Sequence, residues 1–348
     1  MKKLLAIFLT LSLLLLALVG CGEGANTGGG NEDGNGNGNG GNQAADDVTI
    51  RLGGMTGPTS IGMAKLLADD KAGTAKNDYE FVLAADGADM KAKLIAGEVD
   101  VAAIPANLAA ALYKATGGKI QVVAVNTLGV VSLLEKGNTV NSLADLAGKT
   151  VYAPASAKGA IPEIVFSYLL SEAGLTLGED VKVEWLATAP GGANPLAPKL
   201  KTGEIVLTPE PAATALLSAV EGARRAVVFD DEWKALENGS EYITGVTVVR
   251  AEFAAEHPKA IADFLTEYEA SIEYANENPA DTAAKVIEFK ILDQQAALIE
   301  KAIPNCHISF LSGAEMKAAL GKYYSLLVPV TSQAFGGAVP ADGFYYVK

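Results

Sequence analysis

Histidine, cysteine and tryptophan each occur only twice in 348 residues, and that scarcity narrows the chemistry open to the chain. His257 and His307 stand too far apart in sequence, with too few other soft ligands, to suggest a structural zinc site. Cys306, beside His307, reads as packed core and not as a reactive thiol. No G-x-S-x-G, H-E-x-x-H or C-x-x-C occurs, so the common local signatures of nucleophilic, metal and dithiol chemistry are absent. Positive charge is scarce too: 27 Lys and Arg face 41 Asp and Glu, a net charge of −14. Such a surface repels polyanions and argues against a nucleic-acid partner. Long apolar runs are also missing, because the stretch from Leu4 to Val19 falls short of the roughly 20 residues that cross a bilayer.

What the N-terminus does contain is ordered like a secretory leader. Lys2 and Lys3 precede the apolar run, which ends in Leu18-Val19-Gly20-Cys21. That ending resembles a bacterial lipobox, which implies a signal peptide over 1–20 and lipidation of Cys21, against the plainer reading of a cut near Ala25. With Cys21 lipidated, Cys306 has no partner for a disulfide within the chain. Loss of Lys2 and Lys3 leaves 25 basic side chains against 41 acidic ones, a mature net charge near −16. From Gly22 to Asp47 the chain is rich in Gly and Asn and carries no apolar residue larger than Ala. It cannot bury enough surface to offset its ordering entropy, and as a flexible coil it would span about 28 Å. Residues 21–47 therefore read as a tether. Gly36, Gly38 and Gly41 fit G-x-G-x-x-G by composition alone, since no strand precedes them.

Residues 48–348 have ordinary globular composition and enough length to divide into two cores. An internal repeat shows where. The pattern K-L-x-x-G-E-[VI]-x-[VL]-x-x-x-P-A starts at Lys93 and again at Lys199. It predicts a helix end, a Gly stop, a short buried strand and a Pro just inside the next helix. Two common α/β units could share these devices by chance, but a second pairing supports duplication. Val48–Leu52 and Thr150–Ala153 both read as strands, each leading through a glycine-containing loop into a helix. This alternation predicts two α/β lobes with mostly parallel sheets, whose ligands sit beyond the carboxyl ends of the strands.

Gly57-Pro58-Thr59, Gly97-Glu98-Val99-Asp100-Val101-Ala102, Leu143 to Val151, Thr208-Pro209-Glu210-Pro211, and His257-Pro258 followed by Asn278-Pro279 carry a more specific resemblance. In this order they resemble the nitrate/sulfonate/taurine-type solute-binding proteins of ABC importers, a family that includes binders of thiamine-precursor pyrimidines and riboflavin. Gly148-Lys149-Thr150 is no P-loop, since Leu143 stands where the first glycine belongs and a strand follows. The resemblance implies an α/β type II periplasmic-binding-protein fold: two α/β lobes joined by a two-segment hinge, with a cleft between them. Crossings are expected near Asn126–Val130 and Tyr242–Val246. Lobe one then comprises 48–128 plus 246–348, and lobe two 129–245. Closure about the paired crossings is the expected motion.

Candidate ligand contacts lie on the loops that face the cleft. Gly57, Pro58, Thr59 and Ser60 open one helix; Pro105, Ala106 and Asn107 open another; Ser156, Lys158, Gly159 and Ala160 precede a third. Helix starts of this kind bind oxyanions or carbonyls through backbone N–H groups, although Thr59 and Ser60 could equally just cap theirs. Thr127 and Thr244 lie on the crossings. Glu210, held between Pro209 and Pro211, could accept a hydrogen bond from a solute amine or amide, or serve only nearby backbone. Lys158 is the one cation expected in these loops. Tyr152, Trp185 and Tyr242 are the nearest rings for a heterocycle. Asp86, Asp89 and Glu210 favour a solute with a donor over a small inorganic anion.

Together these readings imply an extracytoplasmic lipoprotein on the outer face of a one-membrane cell, or in the periplasm otherwise. It would act as a monomer, capture a small organic solute (a sulfonate, taurine-like or pyrimidine/heterocyclic compound) and deliver it to an ABC permease with its ATPase subunit. No metal, cofactor or catalysis is expected. The alternatives are a sensor or receptor lipoprotein with the same fold, and an enzyme built on it.

Overall fold

The computed structural model describes residues 48–188 and 194–347. The expected leader, the Cys21 anchor and the tether lie outside the described residues. Lobe one begins with β1 (Thr49–Met55), a 3-10 turn over Pro58–Met63, α1 (Ala64–Lys71), β2 (Asp78–Ala84), α2 (Gly87–Ala96), β3 (Val101–Pro105), α3 (Ala106–Ala115) and β4 (Ile120–Thr127). The chain then crosses to lobe two: β5 (Val131–Lys136), β6 (Thr150–Pro154), α4 (Ile161–Glu172), β7 (Lys182–Leu186), α5 (Leu196–Lys201), β8 (Ile205–Pro209), α6 (Ala212–Ala219), β9 (Ala223–Val228) and α7 (Phe229–Ala235). It returns through β10 (Gly245–Arg250), α8 (Ala251–Glu256), α9 (Pro258–Glu277), α10 (Pro279–Glu288), α11 (Ala296–Ala302), β11 (Ile308–Ser312) and α12 (Gly313–Leu327).

One sheet runs β11-β4-β10-β3-β1-β2 and the other β7-β6-β8-β5-β9. The first lobe's β1 pairs in parallel with β2 and β3, and the second lobe's β6 pairs in parallel with β7 and β8. Beside β3 lies β10, antiparallel to it; beside β8 lies β5, again antiparallel. In each sheet, then, the reversed strand next to that pair is the one arriving from the other lobe. This is the two-lobed type II arrangement, with lobe one carrying a further reversed edge strand in β11. Register carries β1 beyond the expected Leu52, because pairing with β2 continues to Met55↔Ala84.

The internal repeat is structural as well as textual. Gly97 and Gly203 both take left-handed backbone, φ 71° and 90°, which an L side chain resists. After each, a glutamate N–H closes the same turn: Glu98 N to Lys93 O at 2.9 Å and Glu204 N to Lys199 O at 3.1 Å. The prolines that follow sit one position earlier than expected. Pro105 and Pro211 are N-cap residues of α3 and α6, not first-turn residues, because each still belongs to the extended or turning segment that leaves its strand.

Apolar patterning places the helices. In α9, Ala260, Ile261, Phe264, Tyr268, Ile272 and Ala275 recur at helical spacing and are buried against the outer face of sheet one, in a cluster with Leu66, Phe253 and Val286. His257 immediately precedes this helix, its ring 4.8 Å from that of Phe253. Cys306 lies in the same cluster, fully buried, and burial pushes its thiol up. A second cluster runs without a break from lobe one into lobe two through Val125, Val130 and Leu133. At its centre Trp233 of α7 has ring centroids of Tyr168 at 5.1 Å, Tyr323 at 5.7 Å and Tyr242 at 5.9 Å. Tyr323 belongs to α12 of lobe one, so an aromatic group joins the lobes behind the crossings.

Three buried carboxylates, Asp100, Glu135 and Glu210, are matched by arginines. Asp100, 1% exposed, receives Arg51 Nε at 2.8 Å and Arg250 Nη2 at 3.0 Å. Burial opposes its ionisation, but the arginine hydrogen bonds outweigh that and hold its carboxyl below the usual range. Replacing Trp233 with Ala should cost about 3–5 kcal/mol in chemical denaturation, as a buried aromatic that bridges both lobes. A loss below about 1 kcal/mol would show that the lobes are not joined through this core.

Candidate functional site

The two crossing segments are held by backbone hydrogen bonds that repeat the symmetry of the lobes. Ala106 N, at the start of α3, donates to Thr244 O at 3.0 Å, just before β10 enters sheet one. Glu210 N, after β8, donates to Val130 O at 2.9 Å, just before β5 enters sheet two. Thr244 N donates to Thr127 O at 3.0 Å, which ties one crossing to the other. These bonds gather Pro105, Ala106, Thr127, Thr244 and Glu210, all expected from sequence, at the junction of the lobes. The crossings are shorter than expected: Asn126 and Thr127 already belong to β4, and Gly245 and Val246 to β10.

Glycine makes the close approach possible. A Cβ on Gly245 would stand 2.5 Å from both Asn126 Oδ1 and Thr59 Cγ2. On Gly129 it would stand 2.4 Å from the Tyr242 ring. Around Gly245 a buried polar chain runs from the Thr127 hydroxyl to Asn126 Oδ1 at 2.8 Å, and from Asn126 Nδ2 to Thr247 Oγ1 at 3.0 Å. Thr127 therefore offers its hydroxyl to the protein and not to the cleft.

The loop before α1 departs from the expected helix start. Its α-helical turns begin only at Ala64, and Thr59 and Ser60 lie in the 3-10 turn that Pro58 opens after Gly57. Ser60 Oγ donates to Met55 O at 2.7 Å and accepts from Met55 N at 2.9 Å, so it fastens the loop to the end of β1. Thr59 is the better placed of the two: it is 8% exposed and its hydroxyl makes no hydrogen bond to the described residues. Asn107 lies half-buried in the first turn of α3.

On lobe two, Ser156, Lys158 and Gly159 are exposed and Ala160 is the N-cap of α4. Gly159 N donates to the Glu163 carboxylate, so the helix start already carries an anion from its own first turn. Glu210 is 3% exposed, and both of its oxygens are engaged: Oε1 by Arg225 Nη2, Oε2 by Thr214 N at 3.1 Å. Arg225 is the cation that sequence reading missed. It lies on β9, beyond the repeated motif, and the β5–β9 pairing carries it beside Glu210.

Several other expected contacts have structural roles. Asp86 caps α2 by accepting from Ala88 N at 2.8 Å and Asp89 N at 2.9 Å, and Asp89 accepts from Ala85 N at 3.1 Å. Tyr242 is fully buried against Trp233 and cannot stack on a solute. Tyr152 carries Lys199 Nζ over its ring at 3.9 Å, and Trp185 is half-buried on β7. Among the described residues no group of three or more His, Cys, Asp and Glu could hold a metal ion, and no helix is long and apolar enough to cross a membrane.

Comparison with known proteins agrees with this architecture. The model of the family described as ABC transporter, phosphonate, periplasmic substrate-binding protein matches residues 72–296. Among solved structures, an ABC transporter from Parabacteroides distasonis is 23% identical with a TM-score of 0.69, over 87% of this chain and 100% of its own. The periplasmic aliphatic sulphonate-binding protein SsuA from Escherichia coli is 16% identical with a TM-score of 0.65, over 86% of this chain and 92% of its own. The periplasmic nitrate-binding protein NrtA from Synechocystis PCC 6803 is 14% identical with a TM-score of 0.53, over 87% and 92%. Comparison with curated proteins gives no match.

Gly245→Ala tests the junction directly. The added Cβ should lower stability by about 1–3 kcal/mol in denaturant unfolding, from overpacking against Asn126 and Thr59. Wild-type stability in this variant would mean that the crossings are loosely held.

Proposed function

Because the chain belongs to the periplasmic substrate-binding family of phosphonate-type ABC transporters, we propose that it captures a small organic oxyanion or heterocyclic solute between its lobes and delivers it to an ABC permease. The observation that carries this reading is the convergence of both repeated strand ends, at Ala106 and Glu210, on the two crossing segments. Solute held there touches both lobes at once, so binding favours the closed arrangement over the open one. The permease then receives a form that differs from the empty one, and its ATPase subunit drives release and import.

The recognition chemistry rests on hydrogen bonds more than on charge. The Thr59 hydroxyl is available, and the amide of Gly159 becomes so when a solute oxyanion displaces the Glu163 carboxylate that it holds. Glu210 and Arg225 neutralise each other at the junction. The protein acts as a monomer, outside the cytoplasm, without turnover of the solute. Cys21 carries the lipid that keeps it at the membrane, and the Gly/Asn-rich stretch sets its reach.

Thermal unfolding of the full-length chain in detergent, against sulfonates, taurine, phosphonates, nitrate, pyrimidine thiamine precursors and riboflavin, tests the solute class. A true ligand at about 100 times its dissociation constant should stabilise the protein by roughly 2.7 kcal/mol. No shift with any of these compounds would overturn the proposed class. For the anchor, Cys21→Ala should move the protein from the membrane fraction to the soluble extracytoplasmic fraction; unchanged membrane retention would refute lipidation there.

A further inference from the structure

Arg225 lines a partly open cavity of about 40 Å³ to which Gly129, Ser132 and Glu210 contribute from one side of the junction and Asn305 and His307 from the other lobe. The first group belongs to the crossing and to lobe two; Asn305 and His307 precede β11 of lobe one. At roughly 10–15 Å³ per water, the space takes about three or four waters or one small functional group.

The donors around it are unequally engaged. Arg225 Nη2 bonds Glu210 Oε1 and Thr214 Oγ1, the latter at 3.1 Å. Its Nε and Nη1 make no hydrogen bond to the described residues, and neither does the hydroxyl of Ser132, which is 4% exposed. Charge at the cavity is balanced. Glu210 offsets Arg225, and across the cavity His307 Nδ1 lies 3.4 Å from Asp230 Oδ2, which Lys234 Nζ holds at 2.7 Å.

Resting on the solute-binding reading above, we infer that Arg225 determines specificity by donating to a neutral hydrogen-bond acceptor, a hydroxyl or carbonyl, at the end of the solute opposite its oxyanion. An ammonium group is disfavoured there, since both Glu210 oxygens are taken and the guanidinium faces the newcomer. A second carboxylate is disfavoured because it would share one guanidinium with buried Glu210. A neutral acceptor receives a charge-assisted hydrogen bond and leaves the balance intact. Glu210 is on this account a positioning residue that aims Arg225, in place of the direct amine acceptor expected from sequence.

The test is calorimetric titration of the full-length chain in detergent with four three-carbon sulfonates and their phosphonate counterparts. These are 3-hydroxypropane-1-sulfonate, 3-aminopropane-1-sulfonate, 3-sulfopropanoate and propane-1-sulfonate. In at least one series the hydroxyl compound should bind about tenfold tighter than the other three. The double variant Glu210→Gln/Arg225→Gln leaves no orphaned buried charge. With its unfolding temperature near that of wild type, it should reduce the advantage of hydroxyl over methyl to less than about twofold. Ammonium or carboxylate compounds binding as tightly as the hydroxyl, or an undiminished hydroxyl advantage in the double variant, would overturn the inference. Equal binding of all four would overturn it and leave the solute-binding reading in place. Binding of none, in either series, would overturn it too, and the wider panel with nitrate, pyrimidine thiamine precursors and riboflavin then decides the solute-binding reading.

Discussion

A chain that leaves one sheet and enters another must find partners for peptide groups that neither sheet supplies. That requirement organises this molecule. Thr244 O and Val130 O, the last carbonyls before β10 and β5, are taken by amides at the ends of β3 and β8, and Thr244 N is taken by Thr127. The same bonds that satisfy the crossings pull the two repeated strand-to-helix junctions together. The meeting place of the lobes is thus a consequence of backbone accounting, and the side chains nearby inherit their positions from it.

Neutrality is the second consequence. The chain is strongly acidic, yet three of its buried carboxylates sit beside arginines on or next to the crossing strands, and a fourth, Asp230, is held by Lys234. Asp100 is met by Arg250 at the end of β10, Glu135 of β5 by Arg224, and Glu210 by Arg225. Burial works against ionised Glu135 as it does against Asp100, and hydrogen bonds from Thr139 and Val140 together with Arg224 reverse the balance and lower its carboxyl. Pairing of this kind mainly avoids the cost of an uncompensated buried charge. It leaves a junction in which geometry and hydrogen-bond direction carry the recognition that net charge does not.

Between the lobes the apolar core is continuous through Trp233 and Tyr323. An opening motion has to keep this aromatic group packed while the cleft side separates. Rotation about the crossings, the closure expected from sequence, would keep it packed, whereas separation of rigid halves would expose it.

The architecture and its duplication were legible in the sequence because they depend on local devices. Gly97 and Gly203 stop helices by their own backbone freedom, strands of alternating β-α units read as apolar runs, and Pro258 and Pro279 start helices wherever they stand. Ala106 was legible as a member of the repeat, and Glu210 through the prolines that flank it. The state of their side chains was not. Ser60 turning back on Met55, Asp86 capping α2, Tyr242 buried behind the hinge and Arg225 meeting Glu210 all depend on neighbours brought in by strand pairing. The sequence by itself determined the two-lobed α/β fold, since periodicity and punctuation act over a few residues. Which polar groups remain open to a solute was decided only by tertiary structure, because a donor is free or engaged according to partners drawn from anywhere along the chain.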